Sequence, residues 1–256
     1  MTIEEDILKR LKSVSHEVIS SRKPEPAKSL EPAKSGANNK KQPIGGQSSV
    51  LLLFDATGSM AGLWNGTKSI IEEMVKRITK VGIVRLKCVA YRDYCDGERI
   101  FESSGWHTKA EPLLDFMRRI RCEGGGDTPE AVEDVLELAY KEKEVVTRVI
   151  LIGDAPPHSV EKAERQSLNL NKRGCPVFAF RVGNDESAKS AFKRIAEASN
   201  GRYANLEGYK DLLDMISVTI VHDVGGSAAV DKYIKEYGTS EGVKIYSRSL
   251  PSAPKR

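Results

Sequence analysis

What this sequence lacks narrows its class first. It has no CxxC pair and no histidine at zinc-like spacing from a cysteine; Cys88, Cys95, Cys122 and Cys175 are scattered. A disulfide framework and a zinc module are therefore disfavoured. Cys88 and Cys175, inside strand-like apolar runs, read as buried thiols in a reducing compartment. No apolar run approaches the roughly 18 residues of a membrane span. The stretch "MTIEEDILKR" is acidic and amphipathic, where a signal peptide is basic and then apolar. These absences lead us to expect an intracellular, cytoplasmic protein with no membrane span. A basic stripe with interleaved aromatics is also missing. The formal charge of +4 is concentrated in the flanks, with six basic and two acidic residues from Arg22 to Ser49, and six basic and three acidic from Ala228 onward. The middle is slightly acidic, so nucleic-acid binding through a folded domain is disfavoured.

What is present begins with an amphipathic helix over residues 1–21. Thr2 and Glu5 form a capping-box pattern, and Ile7, Leu8, Leu11, Val14, Val18 and Ile19 recur on one face. The stripe is too short for a coiled coil and suits docking or a partner contact. Residues 22–47 contain EPAKS twice and only Leu30 and Ile44 as large apolar residues. Such a stretch buries too little surface to offset its ordering entropy and reads as a disordered linker. From Ser48 to about Val224 strands and helices alternate. Strands are expected at Val50 to Phe54, "VRLKCVAYRD", "RIFESSGWH" as an edge, "VTRVILIGD", "CPVFAFRVG" and "RYANL". Helices are expected at "SIIEEMVKRITKV", "AEPLLDFMRRI", "PEAVEDVLELAYKE" with Pro129 in its first turn, "SVEKAERQSLNLNKR", "SAKSAFKRIAEAS" and "YKDLLDMISVTIVHDV". Apolar strands between amphipathic helices imply a three-layer, doubly wound α/β fold with a mainly parallel sheet. Residues 225–256 read as a short helix and a basic tail.

In such a sheet, ligands bind outside the carboxyl ends of the strands. The residues there are Asp55, Thr57 and Ser59 in "FDATGSM", Arg92 and Asp93 after the second strand, and Asp154 after "VILIG". The loop Gly124 to Thr128 joins the same rim. Asp55, Thr57, Ser59, Thr128 and Asp154 together offer two carboxylates and three hydroxyls, a hard oxygen set of net charge −2 that suits Mg²⁺ or Mn²⁺. The i, i+2, i+4 spacing lets an extended loop point alternate side chains one way. Each residue alone is as well explained by a helix cap or a turn, and a glycine-rich loop before a helix can hold an anion instead. Co-occurrence in order favours the cation.

These motifs resemble the von Willebrand factor type A (VWA) family. "FDATGSM" is similar to its D-x-S/T-x-S signature, "GGGDTPEAV" to its second loop, and "ILIGDAPPH" to the third loop with its aspartate. The branch that accompanies α-kinases has similar counterparts of "AYRD", "GGGDTPE" and "DAPPH". The resemblance covers residues 48–224 and implies a Rossmann-like domain carrying a metal-ion-dependent adhesion site (MIDAS). Asp55, Thr57, Ser59, Thr128 and Asp154 would be its ligands, some through water. It implies a non-enzymatic, metal-dependent protein-interaction module whose partner supplies an acidic side chain. Thr57 stands where many members have serine, and "DAPPH" where Asp-Gly is commoner. Asp127 is expected to cap the following helix or to add an outer carboxylate.

A rival reading takes "DATGS" as similar to the aspartyl-phosphate motif of haloacid-dehalogenase-like phosphotransferases, with Asp55 as nucleophile. That chemistry needs a lysine and further acids, yet Ala56 and Thr57 stand at the key positions and "GGGDTPEAV" has no role. A third reading is a scaffold whose site is vestigial and whose amino-terminal helix binds. Among single residues, His158 reads as a hydrogen-bonding loop residue, Arg92 and Asp93 as a rim ion pair, and Trp64 as core or, if exposed, an interface anchor.

Overall fold

The computed structural model describes residues 48–250 except 79, 127, 207 and 208. The expected helix at 1–21, the linker at 22–47, the end of the basic tail at 251–256, and Asp127 lie outside the described residues.

The sheet is built as the apolar runs demand. It has six strands in the order β3-β2-β1-β4-β5-β6. They are β1 (Ser48–Asp55), β2 (Val84–Tyr91), β3 (Phe101–Ser103), β4 (Arg148–Gly153), β5 (Val177–Val182) and β6 (Arg202–Leu206). All pairings are parallel except β2 with β3. Successive side chains of a strand face opposite sides of the sheet. Val50, Leu52 and Phe54 of β1 accordingly enter one core with Ile150, Ile152, Phe178 and Phe180. Leu51 and Leu53 enter the other with Val149, Leu151, Val177 and Ala179. All eight β1 residues are buried, as expected of a central strand covered on both faces.

Helices supply the outer layers. On the first face lie α1 (Ala61–Ile78), α2 (Ala110–Arg119) and α6 (Tyr209–Tyr237), contributing Met74, Ile78, Leu113, Met117, Ile216 and Ile220. On the second lie α3 (Val132–Lys141), α4 (Val160–Lys172) and α5 (Glu186–Ala198), contributing Val135, Leu136, Ala163, Leu170, Phe192 and Ile195. The fold is the doubly wound α/β architecture expected. Ser159 and Asp185 cap α4 and α5 by accepting from the Lys162 and Ala188 amides.

Several elements differ from the sequence reading. α1 starts at Ala61, eight residues ahead of "SIIEEMVKRITKV", and Trp64 is buried edge-on to Phe54 with centroids 5.5 Å apart, so it is core. Burial of that indole outweighs the poor helix propensity of Gly62 and Gly66. α3 starts at Val132, not at Pro129, because Ala131 has a non-helical backbone (φ −76°, ψ 47°), with Glu130 N–H donating to Pro156 O and Ala131 N–H to Arg92 O. α6 runs past Val224, kinks at Gly226 (φ 66°), and is followed by α7 (Glu241–Arg248). Val243 and Tyr246 of α7 are buried against the domain, and the Tyr246 and Thr219 hydroxyls are 2.8 Å apart. Leu212–Tyr237 of α6 is long and apolar enough to cross a membrane by length and composition alone. Its most apolar window is 67% buried, and Leu212, Ile216, Ile220 and Val221 belong to the first core.

A buried ion pair ties α6 to the amino end of the sheet, away from the carboxyl-end rim. Arg148 at the start of β4 meets Asp223 at 3.0 Å, with both side chains 2% exposed. Asp223 also accepts from Ser48 Oγ at 2.5 Å, and Arg148 lies over the Phe178 ring. Removing one member leaves an uncompensated buried charge. Asp223→Ala should lower unfolding free energy by about 3–5 kcal/mol in urea titration, and Arg148→Met combined with Asp223→Leu should recover most of it.

Candidate metal centre

The chain reverses winding direction between β1 and β4, and parallel sheets present ligand sites at that switch point. Asp55 is the last residue of β1. The register that pairs Phe54 with Ile152 sets it beside Gly153, the last residue of β4. A β-carbon at Gly153 would collide with the Tyr91 hydroxyl at 2.4 Å and press on Asp55 Oδ2 at 3.2 Å, so glycine here lets both side chains pack against the end of β4. Tyr91 donates to Ile152 O at 3.3 Å, and burial followed by the charges of Asp55, Asp154 and Glu130 keeps its phenol protonated.

The first loop is ordered by Asp55 itself. Asp55 Oδ1 accepts from the Thr57 amide at 2.9 Å and the Thr57 hydroxyl at 2.6 Å, and Thr57 Oγ1 lies 3.2 Å from Ser59 Oγ. Three of the five expected ligands thus form one hydrogen-bonded chain running from a buried carboxylate to the exposed Ser59. Asp55 Oδ2 and Asp154 Oδ1 are buried and lack any hydrogen-bond partner among the described residues. Thr128 is exposed and makes no side-chain hydrogen bond among them. Its loop is nevertheless tied to the Asp154 loop through Glu130 N–H to Pro156 O at 2.9 Å and a bridge from Glu130 to Pro157.

The glycine-rich loop folds over this chain. Gly58 N–H donates to Gly124 O at 3.3 Å and Glu123 N–H to Ala56 O at 3.2 Å. Gly124 and Gly125 have φ of 83° and 87°, open to glycine at no steric cost. A β-carbon at Gly124 would collide with Asp96 Oδ1 at 1.8 Å, and one at Gly125 would press on Glu130 Oε1 and Thr57 Cβ, both at 2.8 Å. Asp96 Oδ2 accepts from Gly125 N–H at 2.9 Å.

Sequence reasoning missed two of these acids. Asp96 braces the glycine loop. Glu130 is only 4% exposed, and its Oε2 has no partner. The available signal was a glutamate inside an otherwise small and apolar "TPEAV". Arg92 and Asp93 are not paired with each other, contrary to expectation, because successive residues after a strand point apart. Arg92 meets Glu102 at 2.7 Å and donates to the carbonyls of Arg99 and Arg121. Asp93 bonds His158 Nε2, joining the β2 loop to the Asp154 loop, and the His158 ring lies 4.5 Å from that of Tyr94. His158 is therefore a hydrogen-bonding loop residue.

Burial and mutual repulsion make these acids costly to ionise. Burial lifts the Asp55 carboxyl to about 7; the Thr57 hydrogen bonds and the nearby Asp154 backbone amide oppose this, and the negative charge of Asp154 adds to it. Burial, together with Asp55, Asp93, Asp154 and Asp96, lifts Glu130 to about 9. Neither Asp55, Glu130 nor Asp154 has an ion pair with a described lysine, arginine or histidine. Among the described residues no three His, Cys, Asp or Glu side chains converge to hold one ion. The donor set that fits a cation here is two carboxylates with hydroxyls, which is hard oxygen chemistry.

The sequence matches the von Willebrand factor type A domain family over residues 49–217, and the chain belongs to that family. Such domains generally mediate protein–protein interaction and commonly bind a divalent metal at the adhesion-site motif. A "Putative ariadne-like RING finger protein" of Acanthamoeba polyphaga mimivirus is 36% identical over 113 residues, 44% of this chain. The match spans only 11% of that protein. Among solved structures, proximal thread matrix protein 1 of the mussel byssus, with a zinc-occupied MIDAS motif, is 20% identical with a TM-score of 0.55. The match covers 69% of this chain and 46% of that one. The conserved hypothetical protein BatB of Bacteroides thetaiotaomicron is 15% identical with a TM-score of 0.50, covering 73% of this chain and 99% of that one. These structural likenesses concern the fold.

The raised carboxyls have a measurable consequence without any ligand. Between the ordinary carboxylate range and about pH 7 for Asp55, and up to about pH 9 for Glu130, the folded chain keeps protons that the unfolded chain has released. Stability therefore falls as pH rises through that window, by at most about 1.4 kcal/mol per pH unit and group. In EDTA the urea midpoint should drop from pH 5 to pH 8, and it should drop less in Asp55→Asn.

Proposed function

We propose that the chain is a divalent-cation-dependent protein-interaction module. Asp55, Thr57, Ser59, Thr128 and Asp154 would hold Mg²⁺ or Mn²⁺, some of them through water, and an acidic side chain of a partner would complete the coordination. The observation that carries this reading is the pair of buried, unpartnered oxygens, Asp55 Oδ2 and Asp154 Oδ1, beside a run of hydroxyls at the switch point. Buried polar atoms normally find partners, and orphaned ones indicate a missing ion or water. A bound cation would supply the Lewis acidity that captures a carboxylate. The chain's own residues do the rest. Thr57 orients Asp55 through two hydrogen bonds, Gly153 leaves space beside it, and the glycine loop would present Thr128.

Magnesium and manganese are favoured over the zinc of the mussel relative because no thiol or imidazole belongs to the ligand set. Family membership gives "GGGDTPEAV" a place that the phosphotransferase reading does not. A cytoplasmic setting goes with the buried thiols of Cys88 and Cys175.

In calorimetry, wild-type protein should show heat on adding Mg²⁺ or Mn²⁺ that Asp55→Ala loses while its circular dichroism is retained. A pull-down should then lose the same proteins on adding EDTA and with Asp55→Ala. Partner binding unchanged by both treatments would sink the proposal.

A further inference from the structure

We propose that Glu130 is an outer carboxylate of the cation site, acting on the bound ion through water and raising the site's affinity for it. This inference rests on the metal-site reading above. Three observations point the same way. Glu130 is buried, and its Oε2 lacks any partner. Its Oε1 and the Thr57 side chain flank Gly125 so closely that a β-carbon there would meet both at 2.8 Å. Its backbone is tied to the Asp154 loop by the Glu130 N–H bond to Pro156 O. The carboxylate is thereby fixed between the two loops that present Thr57 and Asp154, within electrostatic reach of Asp55 and Asp154.

A structural acid in the same stretch looks different. Glu133, one turn further on, accepts at Oε1 from the Ser159 amide at 3.0 Å and the Tyr94 hydroxyl at 3.3 Å, although its Oε2 is as unpartnered as that of Glu130. Glu130 makes no such bond, so nothing in the fold explains its charged end. Asp55, Asp154 and Glu130 do not all converge on one point among the described residues, so the three do not all touch one ion directly. A water between Glu130 and the ion reconciles the two facts. It also fits a small cation that keeps part of its hydration shell.

The test uses Mn²⁺ alone, with calorimetry and thermal melting of the full chain as Glu130→Gln, Glu133→Gln, Asp55→Ala and wild type. Glu130→Gln should weaken Mn²⁺ binding about tenfold and raise the melting temperature in EDTA, since a neutral amide costs less to bury beside other acids than a carboxyl does. Glu133→Gln should bind within about twofold of wild type. Glu130→Gln binding as tightly as wild type would overturn the inference. So would a Glu130→Gln chain that melts lower in EDTA or fails to fold, since that assigns the glutamate a structural role. Failure of the metal-site reading is distinguishable, because wild type itself would then give no Asp55-dependent heat.

Discussion

Burying a carboxylate at the end of the most enclosed strand is the constraint around which the rim is arranged. Asp55 loses water on every side, and Thr57 satisfies only one of its two oxygens. A charge so placed persists only if a cation compensates it; otherwise it takes a proton. Gly153, Gly124 and Gly125 all sit where a β-carbon would intrude on this carboxylate or its neighbours. The glycines and the buried acids are thus two sides of one arrangement, since close packing of charged groups requires the backbone to come near.

The rest of the rim supports these loops through bonds among its own residues. Arg92 holds the β3 and α2 ends through Glu102 and two carbonyls, while His158 and Asp93 link the β2 and Asp154 loops. The Glu130 and Ala131 amides ahead of α3 tie this stretch to Pro156 and Arg92. At the opposite end of the sheet, Arg148 and Asp223 perform a purely structural pairing. The two ends show the difference between a charge matched inside the fold and carboxyl oxygens that find no partner there.

Much of this was legible in the chain itself. The alternation of apolar strands and amphipathic helices, and the recurrence of oxygen-bearing residues after "VLLLF" and "VILIG", needed only periodicity and strand-end logic. Helix starts were less legible, because α1 and α3 are bounded by tertiary burial of Trp64 and by amides bonded to distant loops. The docking of α7 escaped notice for the same reason. Its apolar residues are few, and their burial depends on a surface that exists only after α6 has folded.

What the sequence by itself determined is the architecture and the chemical type of the rim, since side-chain period and residue identity are local properties. Only the tertiary structure decided that Asp55 Oδ2 and Asp154 Oδ1 are left without partners, that Arg92 and Asp93 turn to different neighbours, and that Glu130 is buried among aspartates. Partnership and burial depend on what other segments bring to the same place, and no single stretch of the chain carries that information.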